Sequence, residues 1–176
     1  MRACPGFVVQ CRPMTEAPLI DEQLAAFLRG PIGISVASRA EGNVPVLVRC
    51  SGCAVSPDRR RVALYLARSR SQPVIDAVRA TRVVAAVFSL PSSHRTVQLK
   101  GTDAQVGAAQ DGDYAAVERY VEAFASELAS LGYNAAMARA LLWLDPADLA
   151  VLAFTPSAAF QQTPGPGAGA PLRTRA

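Results

Sequence analysis

The chain has 176 residues, 51% of them apolar and 18% charged, with a formal net charge of +4. This length and balance fit one globular domain with its own core and exclude an extended disordered chain. No stretch reaches the roughly 18 apolar residues of a membrane span, and no run of Lys or Arg marks a nucleic-acid tract.

Residues 1–18 hold Cys4, Cys11 and three prolines with little periodicity, and read as an irregular leader. The opening lacks the apolar core of a secretory signal, so the expected setting is cytoplasmic, with reduced thiols. Asp21 opens a short helical pattern that runs to Arg29, with acid residues in its first turn and Gly30-Pro31 as its stop. Strand signals follow at Ile32–Ser38, Val44–Val55 and Val62–Leu66. Turns at Glu41-Gly42-Asn43 and Ser56-Pro57-Asp58-Arg59 separate them, as in an antiparallel meander. A helix is expected over Gln72–Ala80, with Ser71 as candidate N-cap and Pro73 in the first turn. Val83–Phe88 is a continuous apolar strand whose two faces both need cover. Thr96–Val106 alternates as a strand, and Asp113–Leu131 and Ala135–Leu142 carry helical periodicity. Leu149–Phe154 is the last expected strand. The Pro/Gly-rich residues 161–176 show no packing capacity. The expected organisation is a leader (1–18), one domain (19–160) and a tail (161–176). The expected fold is mainly β (α+β), a six-stranded antiparallel split β-barrel with peripheral helices.

Two segments carry candidate chemistry. Arg68-Ser69-Arg70-Ser71-Gln72 places two arginines and two hydroxyls at a helix start. The free N–H groups and positive partial charge of a helix N-terminus suit a phosphate, and arginine adds planar multi-donor contacts. The alternative is a capped helix with solvated arginines. In the strand after His94-Arg95, Thr96, Gln98 and Lys100 share one face by period two. Such a polar face can hydrogen-bond the edge of a heteroaromatic ring, or simply meet solvent. Arg49 and Ser51 likewise alternate on the second strand.

His94, the single histidine, is a turn residue or a proton donor beside a ring. Cys50-Ser51-Gly52-Cys53 is a CxxC within a strand. Its thiols point to opposite faces unless Gly52 bulges, so it reads as two small buried residues rather than a redox pair or metal clip. No P-loop, GxGxxG or Ser/His/Asp order appears, and no metal set is expected.

Taken together, Ser69-Arg70-Ser71-Gln72 after the third strand, and Arg95-Thr96-Val97 running to Lys100-Gly101, carry a resemblance. Residues 44–106, and more loosely 20–160, resemble the pyridoxamine 5'-phosphate oxidase-like family of FMN-binding split barrels. The resemblance implies an FMN-holding homodimer, with the phosphate among Arg68, Ser69, Arg70, Ser71 and Gln72. It also implies a ring bordered by Arg49, Ser51, Thr96 and Gln98, with Arg95 at the pyrimidine edge. The alternative for Arg49 and Arg95 is an exterior position paired with Asp or Glu. Two departures limit what is implied. Gln72-Pro73 stand where the oxidase carries Arg-Lys, and its Arg-x-His segment has no counterpart near the C-terminus. The resemblance therefore implies fold and FMN, with an oxidoreductase role on an unknown substrate. The alternative is a non-catalytic flavin or haem/tetrapyrrole-binding dimer.

Overall fold

The computed structural model describes residues 17–172, so the leader lies almost wholly outside the described residues. Asp21 starts α1 (Glu22–Leu28), its carboxylate accepting from the Leu24 N–H at 2.7 Å. β1 (Gly33–Arg39) and β2 (Pro45–Arg49) form an antiparallel pair around a short 3-10 turn. β3 (Cys53–Val55) and β4 (Val62–Ala67) follow, then α2 (Arg68–Thr81), β5 (Val84–Ser89), β6 (Thr96–Gly101) and β7 (Gln105–Ala108). Next come α3 (Asp113–Ser130), α4 (Ala135–Leu142), β8 (Leu149–Phe154) and β9 (Ala158–Gln161).

The expected six strands resolve into nine, in two open antiparallel sheets rather than one closed barrel. One sheet runs β2-β1-β5-β6-β9 and the other β3-β4-β8-β7. Two of the expected strands break because the chain turns a corner from sheet to sheet. Both corners are sites where a side chain does not fit. Gly52 has φ +139°, and a Cβ there would lie 3.2 Å from the Tyr65 ring. A Cβ on Gly101 would lie 2.6 Å from the Phe154 ring and 3.0 Å from the Thr155 carbonyl oxygen. Such close approach is what a glycine inside a strand pattern marks. The ninth strand, β9, pairs with β6, and the Pro/Gly stretch after it folds back. Leu172 N–H donates to the Ala159 carbonyl, and Leu172 packs against the core.

The core lies between the sheets. Ile34, Val36, Leu64, Phe88, Leu99 and Phe154 are fully buried, with Leu28 from α1 and Val78 from α2 filling the ends. Alternation then leaves Ser35, Ala37, Ala85, Val87 and Gln98 on the opposite, half-buried face of the five-stranded sheet. A second cluster of Tyr65, Val117, Leu144 and Leu149 seats α3 against the four-stranded sheet. No helix among the described residues is long and apolar enough to cross a membrane.

Candidate functional site

α2 begins four residues earlier than the sequence pattern indicates. Its N-cap is Ala67, which has no polar side chain, so Ser71 is not the cap but lies one turn inside the helix. The missing cap is supplied from elsewhere. In the β4–β8 ladder Ala67 pairs with Leu149, and the antiparallel register sets Asp148 beside the helix start. One Asp148 carboxylate oxygen accepts from the Ser69 N–H at 2.8 Å and the other from the Ser69 hydroxyl at 2.6 Å. The hydrogen bond from the Ser69 hydroxyl, with the Arg70 and Arg68 cations adding, holds the Asp148 carboxyl below its usual range.

Between the β2 end, α2 and α4 lies a cavity of about 130 Å³ lined by Val48, Arg49, Ser51, Ala67, Arg70, Ser71, Leu141 and Leu142. Four of the residues singled out from sequence meet there: Arg49 and Ser51 from the β2 end and its corner, Arg70 and Ser71 from α2. Ser51 Oγ donates to the Leu142 carbonyl at 3.0 Å, and Arg70 Nη2 donates to the Trp143 carbonyl at 2.7 Å. Ser71 is 1% exposed, and its hydroxyl has no hydrogen-bond partner among the described residues. An unpaired buried hydroxyl costs roughly 1–3 kcal/mol, which a ligand oxygen at this position would recover. Arg49 stacks over the Phe124 ring at 5.1 Å and, among the described residues, has no carboxylate within ion-pair distance. The cavity is smaller than the ~300 Å³ of whole-ligand pockets, so it suits one anionic group rather than a complete cofactor.

Arg49 also belongs to the half-buried sheet face. Across the ladder it pairs with Ser35, Ser35 with Val87, Val87 with Gln98 and Gln98 with Phe160, so the five residues form one row. Thr96 and Lys100 flank Gln98 on that face. The Thr96 hydroxyl is 2.8 Å from that of Ser89, and Lys100 Nζ lies over the Phe160 ring at 4.8 Å. Thr96, Gln98 and Lys100 thus share a face, as their spacing indicates.

The remaining sequence candidates lie apart. Gln72 is exposed and donates to Asp76 within α2. Ser69 is committed to Asp148, and Arg68 lies beside the same carboxylate. Arg95 is exposed in the β5–β6 turn with its guanidinium 4.4 Å from the centre of the Phe27 ring. His94 is exposed there at φ 56°. Cys50 and Cys53 are free. Burial pushes both thiols up, Cys53 to about 12, where its enclosed sulfur donates to the Leu28 carbonyl. Neither is a thiolate nucleophile at neutral pH. No group of three or more potential metal ligands occurs among the described residues.

Sequence reasoning missed Asp148 and the Leu142 and Trp143 carbonyls. Pairing β8 with β4 would have brought Asp148 to Arg68.

No protein-family profile and no curated protein matches the chain. Solved structures do. HupZ of Group A Streptococcus is 12% identical with a TM-score of 0.52, over 86% of this chain and 100% of that one. A structure described as an F420 reductase is 14% identical with a TM-score of 0.52, over 76% and 93%. Another match is a putative pyridoxamine 5'-phosphate oxidase from Lactobacillus delbrueckii, 14% identical with a TM-score of 0.49, over 84% and 97%. The chain therefore shares the fold of HupZ and of the F420 reductase structure. At these identities the likeness concerns fold alone.

Proposed function

We propose that the protein binds FMN between two copies of the chain and serves as a flavin oxidoreductase. The observation that carries this reading is the buried, unpartnered Ser71 hydroxyl in a cavity shared with Arg49, Ser51 and Arg70. Those donors fit a phosphate. Ser71 offers a hydroxyl and the arginines offer charge-assisted hydrogen bonds. Arg49 joins that cavity to the row Ser35, Val87 and Gln98, a strip of small and polar side chains on which a flavin ring would lie. The fold supports the reading, since one solved structure that shares it is described as an F420 reductase.

In this reading Arg70 and Ser71 hold the phosphate, and Gln98 hydrogen-bonds the ring edge. The second copy covers the sheet face and excludes water. Bound FMN supplies the redox chemistry.

The test compares FMN with riboflavin, which lacks the phosphate. Each lost charge-assisted bond is worth roughly 1.5–3 kcal/mol, so R70A should weaken FMN by about tenfold or more. Riboflavin affinity should stay the same. Equal weakening of both ligands would place the phosphate elsewhere. A colourless protein that takes up no added FMN would overturn flavin binding, and a Soret band on adding haem would favour the tetrapyrrole alternative.

A further inference from the structure

We infer that Phe124 is a positioning residue for the anion site: its ring holds the Arg49 guanidinium in place without neutralising it, so the charge stays available to a ligand anion. This rests on the anion-site reading above and concerns how that site keeps its cation ready.

Arginines elsewhere on the chain are tied by oxygen atoms. Arg139 grips the Glu122 carboxylate at 2.8 Å, Arg39 donates to the Asn43 side chain, and Arg70 donates to the Trp143 carbonyl. Arg49 differs. Among the described residues its guanidinium makes no hydrogen bond and no ion pair, and it lies over the Phe124 ring instead. A carboxylate at that place would cancel the charge. A ring attracts the cation through its quadrupole and leaves the charge and the N–H donors free. A loose arginine side chain carries much rotamer entropy, part of which is given up when an anion binds. Holding Arg49 before the ligand arrives removes that cost from the binding step.

The ring itself is fixed by the fold. Phe124 is buried and stacks on Tyr120, with ring centroids 5.9 Å apart and planes 8° from parallel. The Tyr120 hydroxyl donates to the Ile32 carbonyl at 2.7 Å. Tyr120 in turn packs against Gly52, where a Cβ would lie 3.4 Å from the Tyr120 Cβ. The glycine that turns the chain from sheet to sheet thus also admits the wall behind Arg49. On the strand side, a Cβ on Gly33 would lie 3.5 Å from Arg49 Nη2 and 3.8 Å from the Phe124 ring, so cation and ring meet over a residue without a side chain. Arg49 lines the same cavity as the unpartnered Ser71 hydroxyl, so the held charge and the free donor belong to one site.

The test is a double-mutant cycle on phosphate binding in the full chain, with F124L, R49M and the pair. Inorganic phosphate is the probe, and chloride at equal ionic strength is the control. The Kd is read from the rise in melting temperature over each variant's own ligand-free value, which removes whatever stability F124L itself loses. Phosphate should stabilise the wild type beyond chloride. Its Kd should rise about threefold to fivefold in F124L and about tenfold in R49M. In the double variant the Kd should match that of R49M, because Phe124 then has no cation to hold. If F124L leaves phosphate binding unchanged, or weakens it by the same factor with and without Arg49, Phe124 is only core packing. The inference is then overturned while the anion site stands. If phosphate stabilises the wild type no more than chloride, the anion-site reading and the inference fall together. If the cycle shows the coupling while the wild type takes up no FMN, the inference stands and the flavin reading falls. Should F124L not fold, F124M fills a similar volume without a ring face and carries the same comparison.

Discussion

Ser71 separates stability from function at the scale of one residue. Its hydroxyl is buried and unpaired, a cost the folded chain bears without return unless something binds. Replacing Ser71 with Ala removes the unpaired group and leaves the methylene packing in place. We expect S71A to raise stability by about 1 kcal/mol, read as a higher denaturation midpoint. The same change should weaken FMN about tenfold relative to riboflavin. An unpaired serine with no binding role would give the gain in stability without the loss of FMN affinity, and a serine bonded to an ordered water would give a loss of stability. The sequence marks Ser71 both as a helix cap and as a phosphate contact, and the first of these tasks is the wrong one. A serine just before the first apolar-periodic residue reads as an N-cap, and nothing local shows that the helix starts a turn earlier on Ala67. Arg49, by contrast, is legible by alternation along its strand, because period two is fixed by the pleat.

The elements were mostly legible where they are periodic, as in α1, α3 and α4, and misread where the chain changes sheet. Gly52 and Gly101 each sit inside a run that reads as one strand, and only the packing around them shows a corner. Gly101 gives the sharper test. In G101A the new methyl would meet the Phe154 ring and the Thr155 carbonyl, and overpacking of this kind costs roughly 1–3 kcal/mol. G107A, on β7, adds a methyl where nothing lies within 4 Å and should leave the melting temperature unchanged. Equal melting temperatures for the two variants would show that the Phe154 ring had moved aside.

The start of α2 gives a pH dependence with a definite sign. Asp148 has a lowered pKa in the folded chain, so its bonds to Ser69 stabilise above the ordinary value of 3.8 and are lost as pH falls through the lower folded value. Ser69, Arg70 and Arg68 favour the carboxylate, and Asp145 lines the same cleft. The stability difference between wild type and D148N should therefore be constant near neutrality and close below about pH 4. Asp103 also has a lowered pKa, held down by hydrogen bonds from Thr155 against its burial, so D148N keeps part of the acid sensitivity. No window of sequence could show the Asp148 cap, because the two partners are 79 positions apart and meet only through the β4–β8 register.

For the whole molecule, the question is what covers the second face of the five-stranded sheet. Its buried face holds Val36, Ala86 and Leu99, and its other face holds Ala37, Ala85 and Val87, so the central strand β5 is apolar on both sides. Within the chain, α3 reaches the Gly33–Arg49 end through Phe124. The row Leu47, Ala37, Ala85, Lys100 continues the face outward to the edge strand, where Leu47 is 69% exposed. The edge strand carries Pro45 and Arg49 at its ends but presents an exposed leucine between them, an apolar position left uncovered in a free monomer. A second copy laid on the same face would cover it with matching small side chains, as a two-fold interface requires. We therefore expect a dimer by light scattering at micromolar concentration. L47E puts a charge on a position already exposed in the single chain, so its circular dichroism should match the wild type. Its mass should shift toward the monomer. Because the proposed flavin lies on the same face, FMN affinity should fall together with the dimer fraction, and both should recover at higher protein concentration. A wild-type monomer that holds FMN would overturn the shared site. A dimer unaffected by L47E would move the interface to the apolar side of α4, where Met137, Leu141 and Trp143 are also exposed.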